Sequence, residues 1–304
     1  MSPNQNFLVV GATGNQGKAV ISALLAHPSK ISPTSIYAVT RDAYSPSAQR
    51  LASRHVGIHL IEGNLSNSVA LFEQLPAAVR STTVSFLMQP EDPEAEHTNG
   101  QHFISAAQAA GIAHIVYSSA DRGAGSDNDP SFVPQFQGKF VVEQHLKKAV
   151  LDSAGSLSYT ILRPVFMMEN FKKGFLSKVI ANLLRDQLNG QKFQMVSNED
   201  IGKWAAAAMV DSRDMFFHNR GFSIAGDELS FDEIDRIYQD ETGQHIPTTY
   251  WLISAPSMAM VGKVNALFRL LRDVPGGADL PALSARSKPV DFRTWVRSTT
   301  NRTA

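Results

Sequence analysis

Short apolar runs and helical patterns alternate along the first half of the chain. Runs rich in Val, Ile, Leu and Phe that end at turn residues are typical of buried strands, and apolar residues at i, i+3 and i+4 are typical of helices with one buried face. The predicted strands are residues 7–10, 35–39, 57–61, 83–88, 113–117 and 159–162. Because strands that alternate with helices form a parallel sheet covered on both faces, the pattern predicts an α/β fold with a Rossmann-type doubly wound parallel sheet.

The last third of the chain is less regular. Ser230 and Glu233 form a capping-box pattern for a helix that ends near Gly243. Asn198 is expected to cap another helix. The other elements predicted here are helices at residues 170–189, 199–210 and 258–271 and one late strand at residues 221–225.

Three glycines separate the first predicted strand from the first helix. Gly11, Gly14 and Gly17 allow a tight turn and let a diphosphate approach backbone N–H groups at the positive end of the helix. Their G-x-x-G-x-x-G spacing differs from the commonest dinucleotide motif, but strand and helix stand on the correct sides of it. The predicted cofactor contacts in this turn are Gly11, Thr13, Gly14, Asn15, Gln16 and Gly17.

Arg41 follows the second predicted strand, 24 residues after Gly17. In NAD-selecting proteins an acidic side chain occupies this position and binds the adenosine ribose. A guanidinium instead matches a 2′-phosphate in charge and geometry. The position therefore predicts NADP(H) as the cofactor, with the neighbouring Asp42 as a residue that contests this assignment.

Polar residues also follow the third, fourth and fifth predicted strands, whose carboxyl ends line the ligand crevice of such a sheet. Asn64 and Leu65 either bracket the adenine or form an ordinary turn. Gln89 is a predicted contact to the cofactor ribose or diphosphate. Ser118 and Ser119 either offer a hydroxyl to a substrate oxygen or cap the following loop.

Composition narrows the class of protein. The chain has 304 residues, of which 43% are hydrophobic, enough for a full core. Lys and Arg (28) balance Asp and Glu (28), which argues against direct nucleic-acid binding. No cysteine is present, and the nine histidines show no H-E-x-x-H pattern, so we expect no metal site. Without a leader pattern or a long apolar run, a cytoplasmic protein with no membrane segment is expected.

Seven short motifs together resemble the NmrA-like group of atypical short-chain dehydrogenases/reductases. Each motif is weak alone, and their order and spacing carry the resemblance, which extends to about Gly243. They are GATGNQG at 11–17, TRD at 40–42, GNL at 63–65, HIVYSSA at 114–120, GKFVVEQHL at 138–146, LRPVFMMENF at 162–171 and DIG at 200–202.

The resemblance implies a Rossmann core that carries NADP(H) and a smaller C-terminal α+β substrate domain. The expected boundaries are residues 1–164, to which residues 195–226 return, and residues 165–304. The family likeness also places Pro164 and Phe166 beside the nicotinamide. Some members of the family are reductases of quinones, enones, imines or small aromatic metabolites, whereas others are redox-sensing regulators that act through a protein partner.

The wider superfamily uses a Tyr-x-x-x-Lys pair, in which the ammonium lowers the tyrosine pKa and the phenol protonates the reduced carbonyl. Lys139 is present, but Gln135 takes the place of the tyrosine. Lys139 is therefore expected to be the acid or to hold the nicotinamide ribose, the alternative being an exposed helix lysine. We expect an NADPH-dependent reductase of a small, largely apolar metabolite, or else a non-catalytic sensor with a protein partner; a homodimer is a further expectation.

Two segments bear on access to a substrate. Residues 166–175, together with Met258, Met260 and Phe268, either line an apolar pocket or pack as core. Residues 121–134 form a polar loop that is long enough to be a functional loop or a mobile lid.

Overall fold

The computed structural model describes residues 5–89, 95–172, 174–249 and 261–300. The chain divides into two compact units that interleave along the sequence. Unit 1 comprises Met1–Ser119, Gly138–Arg163 and Ile201–Phe222, and unit 2 comprises Ala120–Gln137, Pro164–Asp200 and Ser223–Ala304.

The described residues form ten strands and twelve α-helices. The strands are β1 (Asn6–Val9), β2 (Ile36–Thr40), β3 (His59–Glu62), β4 (Thr83–Leu87), β5 (His114–Ser118), β6 (Ser158–Pro164), β7 (Phe166–Met167), β8 (Phe193–Val196), β9 (Arg220–Ile224) and β10 (Asp227–Leu229). The helices are α1 (Asn15–Leu25), α2 (Pro46–Arg54), α3 (Ser68–Glu73), α4 (Ala77–Arg80), α5 (Glu96–Ala109), α6 (Pro134–Asp152), α7 (Phe175–Gln187), α8 (Asn198–Val210), α9 (Phe231–Thr242), α10 (Val261–Asp273), α11 (Leu280–Arg286) and α12 (Phe292–Thr300). None of these helices is long and apolar enough to cross a membrane.

A seven-stranded sheet with the order β3-β2-β1-β4-β5-β6-β9 organises unit 1. Every neighbouring pair from β3 to β6 is parallel. The predicted Rossmann-type sheet and its six strands are thus confirmed. The strand order reverses between β1 and β4, and in open α/β sheets ligands bind at the carboxyl ends of the strands beside such a switch point.

The core of unit 1 explains why the strands were visible in the sequence. Every residue of β1, β2, β4 and β5 is buried. A sheet covered by helices on both faces needs apolar side chains at consecutive positions, which produces continuous runs rather than alternation. Side chains such as Leu8, Tyr37, Phe103 and Tyr117 form one cluster on this sheet.

Unit 2 contains a three-stranded sheet with the order β10-β8-β7. Strand β8 is antiparallel to β10 and parallel to β7. None of these strands was predicted, because segments of two to four residues are too short to display a period. An aromatic cluster packs here, in which Phe166 lies edge-on to Phe193 and Phe171 edge-on to Phe292.

The polar loop between β5 and α6 has a charged interior within unit 2. Arg122 is fully buried and donates hydrogen bonds to the carbonyl oxygens of Ala120 (2.9 Å), Ser126 (2.5 Å) and Asp129 (2.9 Å). A buried guanidinium needs such acceptors. The loop supplies them from its own backbone, which folds around the side chain of Arg122. This arrangement gives the loop a defined shape.

Two helix caps test the sequence predictions. The capping box of Ser230 and Glu233 at α9 is present in both directions and the helix ends at Gly243, as predicted; Gly243 has a left-handed backbone conformation. The prediction that Asn198 caps α8 is wrong. Ser197 accepts the N–H of Asp200 at 3.0 Å and is the cap, while Asn198 is already helical.

Gly202 allows α8 to approach α1 closely within unit 1. A Cβ atom added to Gly202 would lie 2.5 Å from the carbonyl carbon and 2.6 Å from the carbonyl oxygen of Ala19. Backbone atoms cannot yield as a flexible side chain does, so this crossing requires glycine.

His114 begins β5 and is buried with both ring nitrogens occupied. Nδ1 lies 2.7 Å from Ser158 Oγ and Nε2 lies 3.0 Å from Thr160 Oγ1. Burial, together with the smaller effect of the nearby His218, lowers the pKa of His114 to about 3. The neutral imidazole is therefore the form that the fold accommodates.

Replacing Gly202 with alanine is expected to lower the free energy of unfolding by about 1–3 kcal/mol, because the added methyl group overlaps the backbone of α1. Gly138→Ala is the matched control. Its Cβ would lie 3.5 Å from Glu96 Oε2, an ordinary contact, and the better helix propensity of alanine should stabilise the protein by up to about 1 kcal/mol. Urea unfolding measures both; an unchanged midpoint for Gly202→Ala would contradict the close crossing.

His114 should make the protein less stable in mild acid. The pKa of an unfolded histidine is about 6.5, so its folded-state pKa of about 3 means that the unfolded chain binds the extra proton as the pH falls. This linkage should remove about 2 kcal/mol of stability between pH 7 and pH 5. His114→Gln, which cannot gain a proton, should lack this part of the pH dependence. Equal slopes for the two proteins in unfolding titrations would refute the assignment.

Candidate functional site

The glycine turn between β1 and α1 forms the base of the candidate site. Gly11 has a positive φ of 68°, and its carbonyl oxygen accepts the N–H of Gly14 at 2.9 Å. No side chain caps α1 among the described residues. The N-cap residue is Gly14, so no side chain of that residue covers the positive end of the helix. A glycine turn at a helix start is the arrangement that binds phosphate.

Gly17 is the position at which this turn folds most tightly. A Cβ atom there would lie 2.2 Å from the carbonyl oxygen of Gly11 and 2.8 Å from Cα of Ala12. Any other residue at position 17 would push the turn open. The tight turn that the glycine spacing predicted is present, and Gly17 lets α1 begin directly against it.

Ser118 connects the end of β5 to the glycine turn. Its hydroxyl donates to Gln16 Oε1 at 2.8 Å, and the residue is almost fully buried. This bond uses the proton that Ser118 was expected to offer to a substrate. Catalysis by Ser118 stays a prediction, and it would require that proton to leave Gln16.

Arg41 and Asp42, at the end of β2, have different surroundings. Asp42 Oδ1 accepts the N–H of Tyr44 at 2.8 Å and so closes its own loop. Glu62 on β3 accepts the next N–H, that of Ala43, at 2.9 Å. Arg41 is exposed and has no hydrogen-bond or ionic partner among the described residues. The carboxylate that contested the NADP assignment is thus engaged locally, and the guanidinium is available.

At the end of β3, the side chain of Asn64 accepts the N–H of Ser66 at 3.2 Å and starts a short 3₁₀ helix. Leu65 is half-buried and packs against the core of unit 1. These are the contacts of an ordinary turn. Asn64 is nonetheless exposed, and its contact with adenine stays a prediction.

Gln89, Glu96 and Lys139 form a buried chain of contacts across three elements. Lys139 Nζ lies 2.6 Å from Glu96 Oε1, with only 9% and 3% of the two side chains exposed. Gln89 follows β4 and donates from Nε2 to the carbonyl oxygen of Glu96 at 2.6 Å. The alternative that Lys139 is an exposed helix lysine is wrong. Sequence reasoning missed Glu96, since an acidic residue in a first helical turn is usually solvated.

A second buried charge lies one turn further along α6. Glu143 accepts the hydroxyl of Ser119 at 2.5 Å and the Nη2 group of Arg163 at 2.7 Å. Glu143 and Arg163 are buried and were not predicted as site residues. Glu143 does have a signal in the sequence: it stands four residues after Lys139, a spacing that places both side chains on one face of the helix.

Pro164 and Phe166 belong to unit 2. The carbonyl oxygen of Pro164 accepts the N–H of Asp121 at 3.0 Å. Phe166 is buried in the aromatic cluster, with its ring 5.8 Å from that of Phe171 and 5.4 Å from that of Phe193. Their role beside a nicotinamide stays a prediction.

The apolar residues proposed to line a pocket divide into three groups. Met168, Phe171 and Phe268 pack in the core of unit 2 with Phe166, which supports the core-packing alternative for them. Phe175 is exposed. Met258 and Met260 lie outside the described residues.

No cluster of His, Asp and Glu in the described part of the chain has the composition of a metal site. The charged groups around the glycine turn and α6 instead pair with one another or remain at the surface. The arrangement suits an anionic, phosphate-bearing ligand rather than a cation.

Known proteins share this fold along its whole length. A triphenylmethane reductase from Citrobacter sp., solved with NADP(H), aligns with a TM-score of 0.71 and 16% identity over 96% of this chain and 99% of the other. The NADPH-dependent quinone oxidoreductase QOR2 of Escherichia coli, solved with NADPH, aligns with a TM-score of 0.69 and 22% identity over 97% of this chain and 100% of the other. At these identities the likeness establishes the fold.

Sequence comparison identifies the family. An oxidoreductase of Malbranchea aurantiaca, malD, is 29% identical over 167 residues, which are 54% of this chain and 47% of malD. The chain thus spans about half the length of this curated relative. Residues 3–258 match the sequence profile of the NmrA-like family. The chain belongs to the NmrA-like family.

Proposed function

We propose that the chain is an NADPH-dependent reductase of a small, largely apolar metabolite. The observation that carries the proposal is the exposed Arg41, without a partner among the described residues, in a unit whose first helix begins uncapped at a glycine turn. Two solved reductases with this fold are described as complexes with NADP(H) or NADPH, which supports the same choice of cofactor.

The proposed cofactor contacts follow from charge and geometry. The N–H groups at the start of α1, at Asn15, Gln16 and Gly17, bind the diphosphate. Arg41 binds the 2′-phosphate through a charge-assisted fork. Gln89 acts behind the site by holding Glu96, because its amide nitrogen is engaged there. When bound, the cofactor supplies a hydride.

Lys139 is the proposed catalytic residue of this chain. An ammonium carries three protons, and Lys139 donates one to Glu96. The remaining protons are directed to oxygen or nitrogen acceptors of the cofactor ribose and the substrate. Lys139 therefore holds the ribose or delivers a proton to the reduced substrate.

Gln135 narrows the substrate class. It stands one turn before Lys139 on α6, where the wider superfamily has its acidic tyrosine, and an amide is no general acid. Hydride addition to a quinone or an enone leaves a phenolate or an enolate, which is a weaker base than the alkoxide formed from a simple ketone, and a protonated imine already carries its proton. These substrates therefore depend less on a phenol than a simple ketone does. A solved protein with the same fold is described as an NADPH-dependent quinone oxidoreductase, which supports this class.

A second candidate function is a non-catalytic sensor of the NADPH to NADP⁺ ratio that acts through a protein partner. The missing tyrosine favours it, since a sensor needs the binding residues but no proton donor. A sensor requires different affinities for the two redox forms. A reductase requires turnover, and the two functions are therefore separable by experiment.

Arg41→Asp should weaken NADPH binding by about 2 kcal/mol, or roughly 30-fold in Kd, and leave NADH nearly unaffected, because only NADPH has the 2′-phosphate. Fluorescence titration of both cofactors measures this. Arg213→Asp, at an exposed arginine between α8 and β9, makes the same charge change as a control. An equal loss of NADPH affinity in both variants would indicate a general electrostatic effect and contradict the specific contact.

The pure protein should oxidise NADPH, measured at 340 nm, in the presence of at least one quinone, enone or imine. Titrations of NADPH and NADP⁺ under the same conditions supply the comparison. If no compound in the panel is reduced, and NADPH and NADP⁺ bind with different affinities and change the conformation, the sensor function is favoured over the reductase function. Absence of turnover with equal affinities would overturn both.

A further inference from the structure

We propose that Glu96 is the positioning residue for Lys139 and that Gln89 holds Glu96 in place. This inference rests on the proposed function, in which Lys139 acts on the cofactor and substrate. Gln89 follows β4 and Glu96 begins α5. The inference gives both residues a part in catalysis, although neither belongs to a phosphate-binding motif.

The Lys139–Glu96 ion pair is almost fully excluded from solvent. The atoms Nζ and Oε1 are 2.6 Å apart, and at least nine-tenths of each side chain is buried. A buried ammonium is strongly unfavourable without an anion beside it. Glu96 is the one anion that Lys139 contacts in the described part of the chain. The position of Nζ therefore depends on the position of this carboxylate.

Glu143 does not fill the same role, although it lies one turn away on the same helix. Its carboxylate is bound by Arg163, whose Nη2 and Nε groups lie 2.7 Å and 3.2 Å from it, and by the hydroxyl of Ser119. Its negative charge is thus neutralised by another partner. Glu96 therefore pairs with Lys139, whereas Glu143 pairs with Arg163.

Gln89 holds the backbone of Glu96 at the start of α5. It is 4% exposed, and its Nε2 group donates to the carbonyl oxygen of Glu96 at 2.6 Å. Its Oε1 atom is buried and accepts no hydrogen bond from the described residues. A buried amide oxygen without a partner costs free energy, and the bond from the amide nitrogen offsets part of the cost of burying this side chain. The hydrogen bond from Gln89 Nε2 to the carbonyl oxygen of Glu96 is therefore the contact by which this side chain supports α5.

Gly100, one turn along α5 from Glu96, allows the helix to come this close. A Cβ atom on Gly100 would lie 2.8 Å from Gln89 Oε1 and 2.5 Å from Cγ2 of Val142 on α6. The glycine thus lets α5 pack against both the end of β4 and the helix that carries Lys139. The end of β4, α5 and α6 together fix the position of the Lys139 ammonium group.

The experiment is a double-mutant cycle on the full chain with Glu96→Gln, Lys139→Met and the double variant. Glutamine keeps the shape and the backbone contact of Glu96 but removes its charge. If Glu96 acts through Lys139, Glu96→Gln should lower kcat about tenfold with less than a threefold change in the KM for NADPH. The same change should have no further effect in the Lys139→Met background. Glu73→Gln, at an exposed glutamate on α3, should leave kcat unchanged.

Gln89→Met tests the supporting contact. It should lower kcat about threefold in the wild-type background and not at all beside Lys139→Met. Multiplicative losses in either cycle would show that Glu96 or Gln89 acts independently of Lys139 and would overturn the proposal. Thermal unfolding of each variant separates these losses from instability, since the double variant removes both buried charges together.

The cycle also distinguishes this inference from the proposed function. If the wild-type protein shows no turnover, the reductase fails, and the same four proteins are compared by their Kd for NADPH. Coupled losses of NADPH affinity, absent for Glu73→Gln, would still support Glu96 as the positioning residue for Lys139. Independent losses, or unchanged affinity in the Glu96→Gln and Lys139→Met proteins, would refute it.

Discussion

The structure of unit 1 depends on the neutralisation of two opposite charges buried on one face of α6. Lys139 pairs with Glu96, and Glu143 pairs with Arg163 while accepting the hydroxyl of Ser119. Removing one partner of such a pair leaves an uncompensated charge and costs about 3–5 kcal/mol. Each pair therefore ties α6 to a particular strand end or helix start, and the carboxyl edge of the sheet acquires its geometry from these ties.

The glycine turn of the candidate site depends on a different constraint, the absence of side chains. Gly17 lets the first turn of α1 approach Gly11, and Gly202 lets α8 cross the same helix near Ala19. Helix α1 is thus held at its start by its own turn and further along by a helix almost two hundred residues later in the chain. A helix fixed at two points presents its N–H groups in one orientation, which is what binding a diphosphate requires.

Much of unit 1 could be predicted from the sequence because its strands are buried on both faces and its turn requires glycine. Arg41 is exposed directly after β2, as the sequence suggested, and its contact with a 2′-phosphate stays a prediction. Glu96, Glu143 and Arg163 were missed because single-sequence patterns treat charged residues as solvated, and only the fold reveals that they are buried together. Ser197 was missed as a cap because Asn198 is an equally good capping residue by type.

Unit 2 was less predictable for related reasons. Strands β7, β8 and β10 have two to four residues each and depend on one another for hydrogen bonds rather than on local preference. The apolar run after Pro164 suggested a ligand pocket as readily as a core, because the same side chains suit both. Packing of Phe166, Phe171 and Phe193 against one another supports the core.

The three separate segments of unit 1 have a consequence for how the protein is made. The last segment, Ile201–Phe222, contains α8 with Gly202, so the contact that holds α1 becomes available only when that residue has left the ribosome. Domains usually fold as units during synthesis, beginning at the N-terminus. Here much of unit 2 is synthesised before unit 1 can close, and a fragment ending at Pro164 would carry the glycine turn and α1 without the contact at Gly202.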